Sequence, residues 1–261
     1  MKKIFLDKYN TQEKAEEYAI MAWPVLNQSS YSKPFYNFVK KIVLTNLKKI
    51  GDNKPLCIDI GFGSGKILFD MHASKGCQKI VGIEQSPAML EITKSILLKK
   101  LPVKIGSNTI DGLGLKNISL KIGEIQLLDL KTESCGFVVC INVLDRIPDT
   151  KRGIFELCRI LKKEGVLIVA TAFDYEELVT PPEQRLSSTQ IENEFKKNSC
   201  FVIKKHKTSL TKKLVKKEIR YNEHIFVVKN LTKIHFKLKS KISLCHLKKL
   251  TIRPKKKPLT K

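Results

Sequence analysis

Apolar and polar positions alternate with two periods along this chain, and they divide it into strands and helices. Leu56, Cys57, Ile58 and Ile60 form a short apolar run of the kind a parallel strand shows when both its faces are buried. Further strands are predicted at Lys79–Ile83, Ile118–Ile122, Gly136–Ile141 and Val166–Ala172. Phe201–Ile203 and His224–Val228 form a closing pair. Helices fall between them. One is predicted over Thr11–Trp23, with Tyr18, Met21 and Ala22 on one face, and a second from Pro34, with Phe35, Phe38, Val39, Ile42 and Leu47 at helical spacing and Gly51 as its stop. A third begins at Lys66. A fourth starts after Ser86-Pro87, a good N-cap and first helical residue, and runs to Leu101. A fifth follows Asp149 or Thr150, with Ile154, Phe155, Leu157, Cys158 and Leu161 inward. Ser187-x-x-Gln190 reads as a capping box for a helix through Phe195. Gly106, Gly112 and Gly114 mark a loop. Strands alternating with helices imply an α/β fold around a parallel sheet.

The turn after the first strand carries the chemistry. Three glycines at alternate positions, Gly61, Gly63 and Gly65, let the backbone bend sharply and leave no side chains between it and a ligand. The helix from Lys66 aims its free N–H groups over that turn. The second strand ends at Glu84, 19 positions after Gly65, where a carboxylate can accept hydrogen bonds from ribose hydroxyls. A phosphate loop of the Walker type is excluded, because Ile60 and Ile67 stand where it needs a glycine and a hydroxyl. The dinucleotide fingerprint is excluded too, since its third glycine position is Lys66.

Length and composition add bounds. At 261 residues and 42% hydrophobic content the chain can form one α/β domain with additions. Seven cysteines are scattered without a Cys-x-x-Cys pair, so reduced core thiols are expected, with no metal site. The opening segment lacks the apolar stretch of a signal peptide, and no run approaches the ~18 residues of a membrane span. A soluble, cytoplasmic protein without a transmembrane segment is expected. The net charge is +24, and it is uneven: 22 Lys or Arg against two acids lie between Lys196 and Lys261. Such a field suits a polyanion, nucleic acid among them. Beyond Asn230, Ile234, Phe236 and Leu238 fit a strand, whereas Ile234, Leu238, Ile242 and Cys245 fit a basic helix.

Asp59-x-Gly61-x-Gly63-x-Gly65 resembles motif I of the class I S-adenosylmethionine-dependent methyltransferases, a resemblance that extends over roughly residues 55 to 173. It implies a Rossmann-like, seven-stranded, mostly parallel sheet with one antiparallel member. Three parts are expected: an N-terminal helical cap (1–51), an S-adenosylmethionine-binding domain (52–230) and a basic C-terminal extension (231–261). By the same resemblance Asp59, Gly61, Phe62, Gly63, Gly65, Glu84, Gln85, Glu124, Ile125 and Asn142 would bind the cofactor, with Glu124 and Ile125 at the adenine. Tyr9, Tyr31 and Tyr36 would lie near the acceptor. The stretch after the fourth strand, Asn142-Val143-Leu144-Asp145-Arg146, belongs beside the transferable methyl group. It resembles the motif of the mercaptohistidine (ovothiol-type) and protein-histidine N-methyltransferases, and Ala172 to Glu183 resembles the loop after the fifth strand in the ovothiol type. The expected acceptor is therefore the imidazole of a histidine-like small molecule or peptide, with Asn142, Asp145 and Arg146 as catalytic candidates. An RNA or tRNA methyltransferase and a non-catalytic, cofactor-binding adaptor are the alternatives.

Overall fold

In a computed structural model, which describes residues 10–23, 33–51, 53–175, 177–214 and 217–231, the chain builds a seven-stranded sheet between two layers of helices. Strands β1 (Leu56–Ile60), β2 (Lys79–Glu84), β5 (Ile118–Ile122), β6 (Cys135–Ile141) and β7 (Leu161–Thr171) run parallel. Strands β8 (Cys200–Leu214) and β9 (Lys217–Asn230) are antiparallel to each other, and β9 inserts antiparallel beside β7. The order across the sheet is β5-β2-β1-β6-β7-β9-β8. This is the expected Rossmann-like topology.

Strand alternation sorts the core into two layers. Cys57, Phe137, Val139, Ile168, Ile225 and Val227 pack with helices α1 (Gln12–Ala22), α2 (Lys33–Lys48), α3 (Lys66–Ala73) and α4 (Pro87–Leu98). Ile58, Ile60, Val138, Val169, Phe226 and Val228 pack with α5 (Thr150–Ile160) and α6 (Ser188–Lys197). Each such side chain contributes about 1.5–3 kcal/mol when buried. Ala15, Ala19, Phe35, Val39 and Val43 of α1 and α2 belong to the first layer, so these two helices share their core with the sheet. The helix starts follow their capping residues. Thr11, Ser86 and Asp149 each accept a backbone N–H, and Ser187 with Gln190 closes a reciprocal capping box.

Four expectations need correction. The glycine-marked loop contains a small antiparallel pair, β3 (Pro102–Ile105) with β4 (Asn108–Asp111). Phe155 is 40% exposed, with the Arg152 guanidinium over its ring, because Gly153, Ile154, Leu157 and Cys158 already fill the buried face of α5. Cys57 and Cys77 form a disulfide, their Cα atoms 5.9 Å apart, while Cys135, Cys140, Cys158 and Cys200 are free and buried. The closing strands are also far longer than the sequence pattern suggests. Only Lys229 to His224 of β9 pair with β7, so the rest of the β8–β9 pair continues past Thr171 as a two-stranded ribbon. It leaves the sheet at the carboxyl ends of the parallel strands. Among the described residues no helix is long and apolar enough to cross a membrane. Residues 232–261, with the strand-or-helix alternatives read there, lie outside the described residues, as do Tyr9 and Tyr31.

Candidate active site

The glycine turn is held from three sides. Gly61 N–H donates to Ile83 O at 2.7 Å and Gly65 N–H to Phe62 O at 2.9 Å. The Trp23 indole N–H of the segment leaving α1 donates to Ser64 O at 2.9 Å, and the Thr93 hydroxyl of α4 donates to Gly63 O at 2.7 Å. Glu84 joins both sides of the site: its Oε2 accepts Gly63 N–H and its Oε1 accepts Ser86 N–H, each at 3.0 Å. Burial raises the Glu84 pKa, opposed by the backbone N–H groups of Ser86, Gly63 and Gln85. Gly61 has φ +68°, and a Cβ there would run into Val143. Glycine is required.

Beyond the carboxyl ends of β1, β2 and β6 a cleft opens, with about 1270 Å³ of space not filled by protein, part of it open to solvent. Of the residues singled out in the sequence, Gly61, Gly63, Glu84, Gln85, Ile125, Asn142, Asp145 and Arg146 line it, together with Tyr18 and Tyr36. The two tyrosine hydroxyls are 3.1 Å apart. Four others do not line it. Phe62 turns into the core under Gly82, since alternate residues of the turn point opposite ways. Gly65 is buried as the N-cap of α3, against Thr93 and Leu97. Glu124 stands exposed at the rim, bridged to Leu127. Asp59 is 1% exposed, lies behind the turn, and has no hydrogen-bond partner for its Oδ2.

Burial, and secondarily the charge of Glu84, pushes the Asp59 pKa well above the carboxylate range. The fold therefore favours the protonated acid over the ionised one, and wild type loses stability as pH rises beyond the unfolded-state value of ~3.9. Asp59→Asn is expected to be more stable than wild type at pH 7–8 by about 1–3 kcal/mol. That gain should vanish towards pH 4. Urea unfolding at both pH values measures it.

The far end of the cleft is acidic. Asn142 follows β6 in the left-handed region (φ +55°), with its N–H on Ala170 O at 2.9 Å. Asp145 is fully buried in the 3₁₀ turn Leu144–Arg146. Arg146 Nε lies 3.6 Å from Asp145 Oδ2, and its Nη2 lies 3.5 Å from Asp174 Oδ2. The ribbon adds two residues that the sequence pattern did not single out, Tyr221 and Glu223 of β9. Glu223 is fully buried, and neither carboxyl oxygen has a hydrogen-bond partner at close range, the Asn142 side chain being the group that offers one. Its pKa is pushed up to about 8, first by burial and then by the Asp145 charge, against the opposing effects of Asn142 and Arg146. A signal was available: Glu223 is one of two acids in the otherwise basic final quarter of the chain.

The human EEF1A lysine methyltransferase 2 is 32% identical over 124 residues, covering 44% of this chain and 46% of that protein. The Saccharomyces cerevisiae protein-lysine N-methyltransferase EFM4 is 29% identical over 146 residues, covering 50% and 57%. The chain thus spans about half the length of these curated relatives. The methyltransferase solved in complex with the Haloferax volcanii Trm112 activator superposes with a TM-score of 0.60 at 14% identity, covering 87% of this chain and 98% of that one, a likeness of fold. The family model described as a methyltransferase domain matches residues 52–240. With that match and the sheet order above, the chain belongs to the methyltransferase-domain family, in its class I, S-adenosylmethionine-dependent form.

Proposed function

We propose that the chain transfers a methyl group from S-adenosylmethionine to the side-chain amine of a lysine in a protein. The observation that carries the acceptor class is the buried carboxyl pair, Asp145 and Glu223, facing one guanidinium among the described residues, Arg146, at the far end of the cleft. An excess of buried carboxyl groups favours a cationic guest. A lysine ammonium meets that demand, whereas an imidazole is largely neutral near pH 7. The names of the human and yeast relatives carry the same acceptor class.

The residues present fit the methyl donor. Gly61 and Gly63 line the cleft without side chains, and each Glu84 oxygen accepts a backbone N–H and keeps capacity for a ribose hydroxyl. Gly123 and Ile125 would flank the adenine. When bound, the donor supplies an electrophilic methyl on a sulfonium, and its leaving group needs no acid. The protein's part is to exclude water, to hold the nitrogen in line at roughly 3 Å, and to keep that nitrogen unprotonated.

The test is an incubation of the full chain with labelled S-adenosylmethionine and an unmethylated protein and RNA extract, followed by hydrolysis. Elongation factor 1A serves as a trial acceptor. Label is expected in N-methyl-lysine. Label in methylhistidine would restore the imidazole reading, and label in RNA would favour a role for the basic C-terminal region. No label in any fraction would mark a cofactor-binding adaptor.

A further inference from the structure

We propose that Glu223 is the acceptor-binding carboxylate, carried into the cleft by the β8–β9 ribbon to hold the incoming ammonium and take its proton. This rests on the lysine reading above. The geometry begins with register. His224 is the last β9 residue paired with β7, opposite Thr171, so Glu223 is the first residue of the ribbon beyond the sheet. By alternation Tyr221, Glu223, Ile225 and Val227 share a face. Ile225 and Val227 enter the core layer beneath α1–α4, while Glu223 and Tyr221 line the cleft.

The surroundings of Glu223 are built for a guest rather than for the carboxyl itself. Buried carboxyl groups are normally hydrogen-bonded, yet here neither oxygen has a partner at close range, and the Asn142 side chain is the group that offers a hydrogen bond. The nearby guanidinium, Arg146, is already shared between Asp145 and Asp174. From the opposite strand, β8, the residue in register is Thr208, which carries no charge. Among the described residues, the other charged or titratable groups facing this end of the cleft are Asp145 and Arg146 from the 3₁₀ turn, Tyr221 from β9 itself, and Tyr18 and Tyr36 from α1 and α2.

The step balances. The acceptor R–NH₃⁺ gives one proton to the ionised Glu223, leaving a neutral amine with its lone pair and a neutral carboxylic acid. The nitrogen–carbon bond then forms as the carbon–sulfur bond breaks, with the electron pair staying on sulfur. The product leaves as R–NH₂–CH₃⁺, and Glu223 releases its proton to water when the cleft reopens. Only the ionised carboxylate can begin this sequence. In the empty cleft Glu223 is held protonated up to about pH 8, so transfer should rise through that region. Without the carboxylate, the rise should move towards the free amine, ~10.4.

The experiment follows the initial rate of label entering protein lysine between pH 6.5 and 10 for the full-length wild type, Glu223→Gln and Glu223→Asp, using the unmethylated extract. Calorimetry with S-adenosylhomocysteine serves as the control for folding. Glu223→Gln is expected to bind that product within about threefold of wild type. At pH 7.5 it should transfer about 30-fold more slowly, on the scale of one lost hydrogen bond to a charged group. Its pH limb should shift upwards, and Glu223→Asp should recover part of the rate. A Glu223→Gln protein with the wild-type rate and limb overturns the proposal and leaves the lysine reading standing. A Glu223→Gln protein that no longer binds S-adenosylhomocysteine overturns it in favour of a structural role. A wild type that labels histidine or RNA instead of lysine overturns the reading, and the proposal with it.

Discussion

Gly63→Arg is expected to abolish binding of S-adenosylmethionine and of its demethylated product. Gly63 sits at φ +52°, where an L-residue costs about 1–2 kcal/mol, and a Cβ there would stand 2.8 Å from the Tyr18 ring. The remainder of an arginine would have to run into the cleft, placing a cation where a sulfonium is to lie. The backbone N–H of Gly63 is also bound to Glu84, so a shift of this peptide would disturb that carboxylate. We expect affinity to fall at least about 10³-fold, or about 4 kcal/mol. Gly51→Ala is the control. Gly51 has φ +73°, and a Cβ added there would meet nothing within 4 Å, so that variant carries the backbone strain alone and should bind normally. Calorimetry on both variants decides the matter, and a Gly63→Arg protein binding within tenfold of wild type would place the nucleoside elsewhere.

Removal of the Asn142 side chain is expected to leave binding of S-adenosylhomocysteine within a few-fold of wild type and to slow transfer about 10²-fold, the scale of a misplaced acceptor. The left-handed backbone makes the choice of variant matter. Asn142→Ala removes the amide and also imposes strain, because asparagine tolerates φ +55° better than alanine does. Asn142→Gly removes the amide without strain. If both variants lose transfer equally, the amide itself acts, through its influence on Glu223. Should Asn142→Gly keep the wild-type rate, the side chain has no part in the reaction.

The glycine-turn half of the cleft could be read from the chain because it is local. Strand, glycine turn, helix and the acid ending the second strand lie within thirty residues, and each is dictated by its own sequence. Helix starts were legible for the same reason, since Thr11, Ser86, Asp149 and Ser187 cap through bonds to residues three positions on. The rest depended on tertiary context. The β8–β9 ribbon was obscured because Lys204, Lys205 and Lys207 are all exposed, which erases the alternation that marks a half-buried strand. Glu223 fell inside that stretch and so read as linker. Strands β3 and β4 are four residues each, too short to register among three nearby glycines. The disulfide joins residues 20 apart that meet because β1 and β2 lie side by side, with Leu56 opposite Lys79. Phe62 shows the limit within a motif: its neighbours face the cleft, and it faces the core.

The place of β9 in the sheet also sets an order of events during biosynthesis. The ribosome makes β7 and β8 first, yet the strand that must lie between them is made last. Until residues 217–230 emerge, β7 keeps an open edge and the growing polypeptide lacks Glu223 and Tyr221. A nascent chain of that length has already made the whole glycine turn. It lacks the buried carboxyl group that, on the proposal above, anchors an ammonium, so the cleft is completed only with the synthesis of β9.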